Sequence, residues 1–126
     1  GPASLIESAR RWRKMVGGGM RQAGILAAAI DYALDNNVER LKTDHENARR
    51  LTEALATIDG VEILSSQTNM VFIEVPSREL GEKLESRLAE QGVKILGGEK
   101  IRLVIHLNVT AQDIDKVAQL FQEVLQ

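Results

Sequence analysis

The 126-residue chain has no cysteine. Disulfides and thiolate metal sites are therefore excluded, and a reducing cytoplasm is the expected setting. Aromatic residues are nearly as scarce, with Trp12, Tyr32, Phe72 and Phe121 making up 3% of the sequence. The core must therefore be aliphatic, built from Leu, Ile, Val and Ala within a hydrophobic fraction of 44%. A net charge of −2 lacks the basic excess of a general nucleic-acid binder. No apolar run approaches the roughly 20 residues of a membrane-spanning helix, and no signal-peptide pattern is visible. No grouping of His, Asp and Glu has metal-ligand spacing, and no Ser or Thr has a recognisable histidine partner. Internal repeats and low-complexity segments are absent. Gly1-Pro2 reads as a protease-cleavage scar and is set aside. The length fits one compact domain with an extended amino-terminal arm.

The most distinctive stretch is Arg10-Arg11-Trp12-Arg13-Lys14-Met15-Val16-Gly17-Gly18-Gly19-Met20-Arg21-Gln22-Ala23-Gly24. Clustered cations lead into three glycines, and Arg21 stands at the mouth of an apolar helical run. Glycine lets the backbone approach a ligand closely, and a helix start offers free N–H groups that favour anions. Neither the Walker nor the dinucleotide-binding spacing is present. The residues alone leave two readings open: a phosphate or carboxylate clamp, or a solvated basic turn before a helix.

Along the chain, residues 4–15 suit a short helix that the glycines break. Residues 20–41 read as one long helix, with Ile25, Ala28, Ala29, Tyr32 and Ala33 on one face. Thr43 and Glu46 have capping-box spacing, which predicts a new helix near Asp44, closed by Asp59-Gly60. Residues 61–64 are a strand candidate, 65–67 a loop, and 69–75 a stronger strand. Ser77 caps a helix with Leu80, Leu84 and Leu88 on one stripe, closed at Gln91-Gly92. Residues 93–96 form another strand candidate, and Gly97-Gly98 a turn. Residues 101–107 alternate, with Ile101, Leu103, Ile105 and Leu107 facing one way and Arg102, Val104 and His106 the other. Thr110 and Asp113 cap the final helix. The fold class is α+β: a small antiparallel or mixed sheet of three to four strands backed by helices, after a long amino-terminal helical arm. The expected division is 1–43 for the basic segment and linking helix and 44–126 for the small α+β domain.

Arg102 lies mid-strand, opposite four aliphatic side chains, and a guanidinium there needs a partner. A carboxylate suits its planar fork. An internal acidic partner or plain solvent exposure would also account for it. His106 shares that face and has two readings: a proton carrier or ligand near that carboxylate, or, favoured because no second ionisable group supports proton transfer, a residue that hydrogen-bonds the backbone and fixes the strand end. His45 reads as a surface residue at a helix start.

The run from Arg11 to Asn47, centred on WRKMVGGGMRQAGILAAA, resembles the low-specificity L-threonine aldolases, pyridoxal-phosphate enzymes of the aspartate-aminotransferase fold type. The resemblance continues through Gln67-Thr68-Asn69-Met70 and Ile101-Arg102-Leu103-Val104-Ile105-His106-Leu107. It covers nearly the whole chain but only the carboxy-terminal part of such an enzyme. It implies that Arg102 binds the substrate α-carboxylate and that Lys14 and Arg21 serve the cofactor phosphate, at an active site formed between subunits of a homo-oligomer. It also implies a large domain upstream of Arg11 that supplies the Schiff-base lysine and the partners of the cofactor ring. None of Lys14, Lys42, Lys83, Lys94, Lys100 or Lys116 stands in a comparable Ser-Lys-Gly context. No catalytic residue and no metal ligand is therefore expected here, and the segment alone is expected to be inactive and to bind no cofactor. A different class of reading is a stand-alone module that binds a small carboxylate or drives oligomerisation.

Overall fold

A computed structural model describes residues 1–125, as five helices and three strands. They fall into two units, Gly1–Val38 and Glu39–Gln126.

In the first unit, α1 spans Ala3–Met15 and α2 spans Gly24–Asn36. Pro2 precedes α1 with φ −58°, a value already suited to helix entry. Arg13 and Lys14 occupy the last turn, where cations complement the helix dipole. The chain leaves α1 through Gly17 at φ +86°, and the Gly18 N–H donates to the Arg13 carbonyl at 2.8 Å. No side chain of α1 or α2 is buried.

The single helix expected across 20–41 does not form. Its start is lost to a turn over residues 21–23, with Gln22 at φ 55°. Its end is lost at Asp35-Asn36-Asn37, whose short polar side chains compete with the helical backbone. The Asn36 side chain donates to the Tyr32 carbonyl at 2.8 Å and the Asn37 N–H to that of Ala33 at 2.8 Å. The arm is thus two 13-residue helices separated by a glycine turn.

The second unit comprises α3 (Leu41–Leu55), β1 (Glu62–Gln67), β2 (Met70–Glu74), α4 (Arg78–Glu90), β3 (Lys100–Val104) and α5 (Ala111–Leu125). The strands form one antiparallel sheet in the order β1-β2-β3. Alternation turns Val71, Ile73, Ile101 and Leu103 toward one side, where they share a core with Leu51 and Leu55 of α3, Leu84 and Leu88 of α4, and Ile114 and Phe121 of α5. The α+β class and the helix-backed antiparallel sheet therefore hold. Among the described residues no helix is long and apolar enough to cross a membrane.

The caps of the last two helices form as expected. Ser77 Oγ accepts the Leu80 N–H at 3.3 Å. Asp113 accepts the Thr110 hydroxyl at 2.7 Å and the Thr110 N–H at 2.8 Å, while the Asp113 N–H donates back to Thr110 Oγ1 at 3.2 Å. These bonds, the hydroxyl first, hold the Asp113 carboxyl below its ordinary value. A depressed carboxyl stabilises the fold above that ordinary value, and the contribution fades as pH falls through the folded one.

The start of α3 differs from the expected capping box at Thr43 and Glu46. The helix begins at Leu41, and no side-chain cap is made at Arg40. The Arg40 guanidinium instead grips Asp44 with both nitrogens, at 3.0 and 2.5 Å, and Asp44 is only 3% exposed. Arg40→Ala would leave that carboxylate buried without a partner. It is expected to cost about 3 kcal/mol, read from the urea midpoint of the chain. A change below ~0.5 kcal/mol would show that water replaces the guanidinium without loss.

Two strand expectations also change. Ser65-Ser66-Gln67 extends β1, because a bulge between Ile63 and Ser65 resets the register so that Ser65 pairs with Phe72 and Ser66 with Val71. Residues 93–96 form no strand. The Val93 N–H donates to the Leu88 carbonyl at 2.9 Å, and the Gly97 N–H to Glu85 Oε2 at 2.8 Å, so this segment is seated on α4 and not on the sheet. Among the described residues the sheet has three strands, and β3 is an edge.

Candidate anion-binding site

Arg102 sits at the centre of β3, opposite Phe72 of β2. Because Ile101 and Leu103 turn into the core, Arg102 must point to the open face of the sheet, where it is exposed. Its neighbour on that face, Lys100, already pairs with Glu74 at 3.5 Å. Among the described residues Arg102 itself makes no ion pair. Its fork is therefore available to an outside anion. A cavity of about 390 Å³ is lined by Phe72, Leu96, Gly97, Lys100, Arg102 and Val104. This size suits a small ligand. The groove is open to solvent, and Lys100 adds a second cation to its lining.

Sequence reasoning located Arg102 but not the walls of its cavity. Leu96 and Gly97 reach it because residues 93–98 lie on α4, an arrangement that depends on Gly81. A Cβ placed on Gly81 would run into the Gly98 carbonyl oxygen. A glycine inside a helical pattern was the available signal, since such a residue lowers helix stability unless close packing requires it.

His106 follows β3, which ends at Val104, two residues before the histidine. Its Nδ1 accepts the Asn108 N–H at 3.3 Å and its carbonyl accepts the Val109 N–H at 2.8 Å. It thus shapes the turn out of the strand. His45 is exposed on α3. Among the described residues no group of three His, Asp or Glu side chains is placed to hold a metal.

Lys14 and Arg21 belong to the first unit and Arg102 to the second. The Lys14 side chain lies across Gly19: a Cβ there would collide with Lys14 Cδ and stand 3.1 Å from Nζ. Gly18 is similarly pressed on Arg13, with a Cβ reaching 2.9 Å from Cγ and 3.0 Å from the carbonyl oxygen. The glycines are therefore what allows the chain to fold back over the last turn of α1. Arg21 is exposed in the turn that leads into α2. Among the described residues neither Lys14 nor Arg21 has an acidic partner.

Solved structures share this architecture. The adenosylmethionine-8-amino-7-oxononanoate aminotransferase of Methanocaldococcus jannaschii superposes with a TM-score of 0.64 at 20% identity, over 79% of this chain and 26% of that one. The lysine aminotransferase of M. tuberculosis gives 0.61 at 20% identity, over 77% and 23%. The chain thus has the fold of part of an aminotransferase. Residues 1–77 match the sequence profile of the beta-eliminating lyases, and the chain belongs to that family. The low specificity L-threonine aldolase of Escherichia coli K12 is 45% identical over 121 residues, covering 94% of this chain and 35% of that protein. Low-specificity L-threonine aldolase 1 of Arabidopsis thaliana is 39% identical over 131 residues, covering 99% and 37%. The chain spans about a third of the length of these relatives.

Proposed function

We propose that this chain is the carboxy-terminal part of a cytoplasmic, pyridoxal-phosphate-dependent low-specificity L-threonine aldolase, whose intact form cleaves L-threonine or allo-threonine to glycine and acetaldehyde. The observation that carries the reading is the unpaired Arg102 guanidinium in its apolar-walled cavity. There it holds the α-carboxylate of a β-hydroxy amino acid, through both oxygens at once. Anchoring the carboxylate fixes the orientation of the bond to be cleaved. Phe72, Leu96 and Val104 stand beside that ion pair as apolar walls.

The residues present fit the anionic part of the cofactor. Lys14 folded over Gly19 and Arg21 in the adjacent turn are both without an acidic partner, as phosphate ligands would need to be. When bound, pyridoxal phosphate draws electrons away from the substrate α-carbon. The lysine that would carry it lies, in the aldolases, upstream of the run that begins at Arg11. This segment alone is therefore inactive. A homo-oligomeric parent is favoured because α1 and α2 bury none of their side chains here, which leaves apolar surface for another copy or for the large domain.

The full-length protein carrying this chain, supplied with pyridoxal phosphate and L-threonine, is expected to release acetaldehyde, and the 126-residue chain is expected to release none. Absence of acetaldehyde from the full-length protein would overturn the assignment. A second reading, a stand-alone small-carboxylate-binding or oligomerisation module, draws on the same cavity. It would be favoured if calorimetry detected glycine binding to the isolated chain.

A further inference from the structure

We propose that Asn69, at the tip of the hairpin joining β1 and β2, is a positioning residue for Arg102. The inference rests on the carboxylate-binding reading of Arg102 given above.

β3 has β2 as its single neighbour in the sheet. Burial of Ile101, Leu103 and Ile105 fixes the register of β3, since a shift of one residue would turn Arg102 into the core and an aliphatic residue outward; what burial leaves to contacts at the strand ends is how firmly β3 lies against β2. Two clamps lie beyond the ends of the β2–β3 ladder. At one end the Val75 N–H donates to the Glu99 carbonyl at 2.9 Å. At the other, the Ile105 N–H donates to the Asn69 carbonyl at 2.9 Å, and Asn69 Nδ2 donates back to the Ile105 carbonyl at 2.7 Å. One residue thus holds both main-chain groups of Ile105. Among the described residues this is the only side-chain hydrogen bond made to the backbone between 99 and 105.

The hairpin tip is shaped for the task. Thr68 stands at φ 54°, a region that β-branched residues rarely enter. Conformations of this kind persist where the surrounding structure requires them. The Thr68 hydroxyl lies 2.7 Å from the Gln67 carbonyl and 3.4 Å from Asn69 Oδ1. It therefore stands on the oxygen side of the amide, while Nδ2 faces Ile105. Asparagine supplies the required donor at the required length. Aspartate keeps the shape and has no N–H to give.

The test uses the full-length enzyme. Asn69→Ala and Asn69→Asp are each expected to raise KM for L-threonine about tenfold while kcat stays within about twofold, because a slightly misplaced anchor weakens carboxylate binding. A purely structural role would instead lower Tm and the active fraction, read in kcat, and leave KM alone. If Asn69 acts through Arg102, the Asn69→Ala/Arg102→Ala double variant has the KM of Arg102→Ala alone. Should Asn69→Ala fold poorly, Asn69→Asp carries the same comparison. An unchanged KM in the Asn69 variants, or additive effects in the double variant, would overturn the positioning role while a raised KM in Arg102→Ala kept the carboxylate reading intact. An unchanged KM in Arg102→Ala would bring down both.

Discussion

In the full-length protein, taken as the aldolase proposed above, Arg102→Ala is expected to raise KM for L-threonine about a hundredfold, since a hydrogen bond to a charged group contributes about 1.5–3 kcal/mol. The loss should appear first in KM, with a smaller fall in kcat because the anchor also orients the bond to be cleaved. Arg102→Lys tests the geometry. It keeps the charge and loses the planar two-pronged donor, so an intermediate loss of about tenfold is expected. Stability should barely move in either variant, within ~0.5 kcal/mol, because Arg102 is exposed and makes no ion pair among the described residues. Steady-state kinetics with L-threonine and a urea titration of the same preparations check both halves. A fall in kcat at unchanged KM would place Arg102 elsewhere in the reaction, and a large loss of stability would show that its partner is internal after all.

Much of this site could be read before any coordinates, because a strand with a buried face imposes a period of two. Ile101, Leu103 and Ile105 had to face the core, so Arg102 had to face away from it. The caps at Ser77 and at Thr110 with Asp113 were equally local, and they formed as written. What could not be read locally was set by tertiary contact. The Arg40–Asp44 pair moves the start of α3 ahead of the residues whose spacing suggested a cap. The apolar run at 93–96 has the composition of a strand and the environment of a loop, because α4 offers it Glu85 and the space over Gly81. The walls that Leu96 and Gly97 give to the Arg102 cavity were hidden for the same reason. The break after Asn36, by contrast, was present in the residues: consecutive asparagines outweigh an apolar stripe that buries nothing.

Gly81→Ala follows from that hidden contact and should destabilise the second unit although it adds helix propensity. At an ordinary exposed helix position, replacing glycine with alanine stabilises by about 1 kcal/mol. Gly81 is instead buried in α4, and a Cβ there would overlap the Gly98 carbonyl oxygen and come within 2.6 Å of both Gly98 C and Gly98 N. All three are backbone atoms, so no side-chain rotation relieves the clash, and the 97–98 turn has to lift. Lifting it breaks the Gly97 N–H bond to Glu85 and withdraws Leu96 and Gly97 from the Arg102 cavity. Overpacking of this kind costs about 1–3 kcal/mol, the lost hydrogen bond adds about 1 more and the helix propensity of alanine returns about 1, so a net loss of roughly 2 kcal/mol is expected in urea unfolding of the chain. Gly92→Ala is the informative comparison. Nothing stands within 4 Å of a Cβ there, and its penalty comes only from holding alanine at φ +80°. It should cost about 1 kcal/mol and leave the cavity untouched. In the full-length enzyme Gly81→Ala should therefore also raise KM for L-threonine, whereas Gly92→Ala should not. A Gly81→Ala chain as stable as the parent would mean that helix propensity outweighs the contact, and that the 97–98 turn is not seated on α4 in solution.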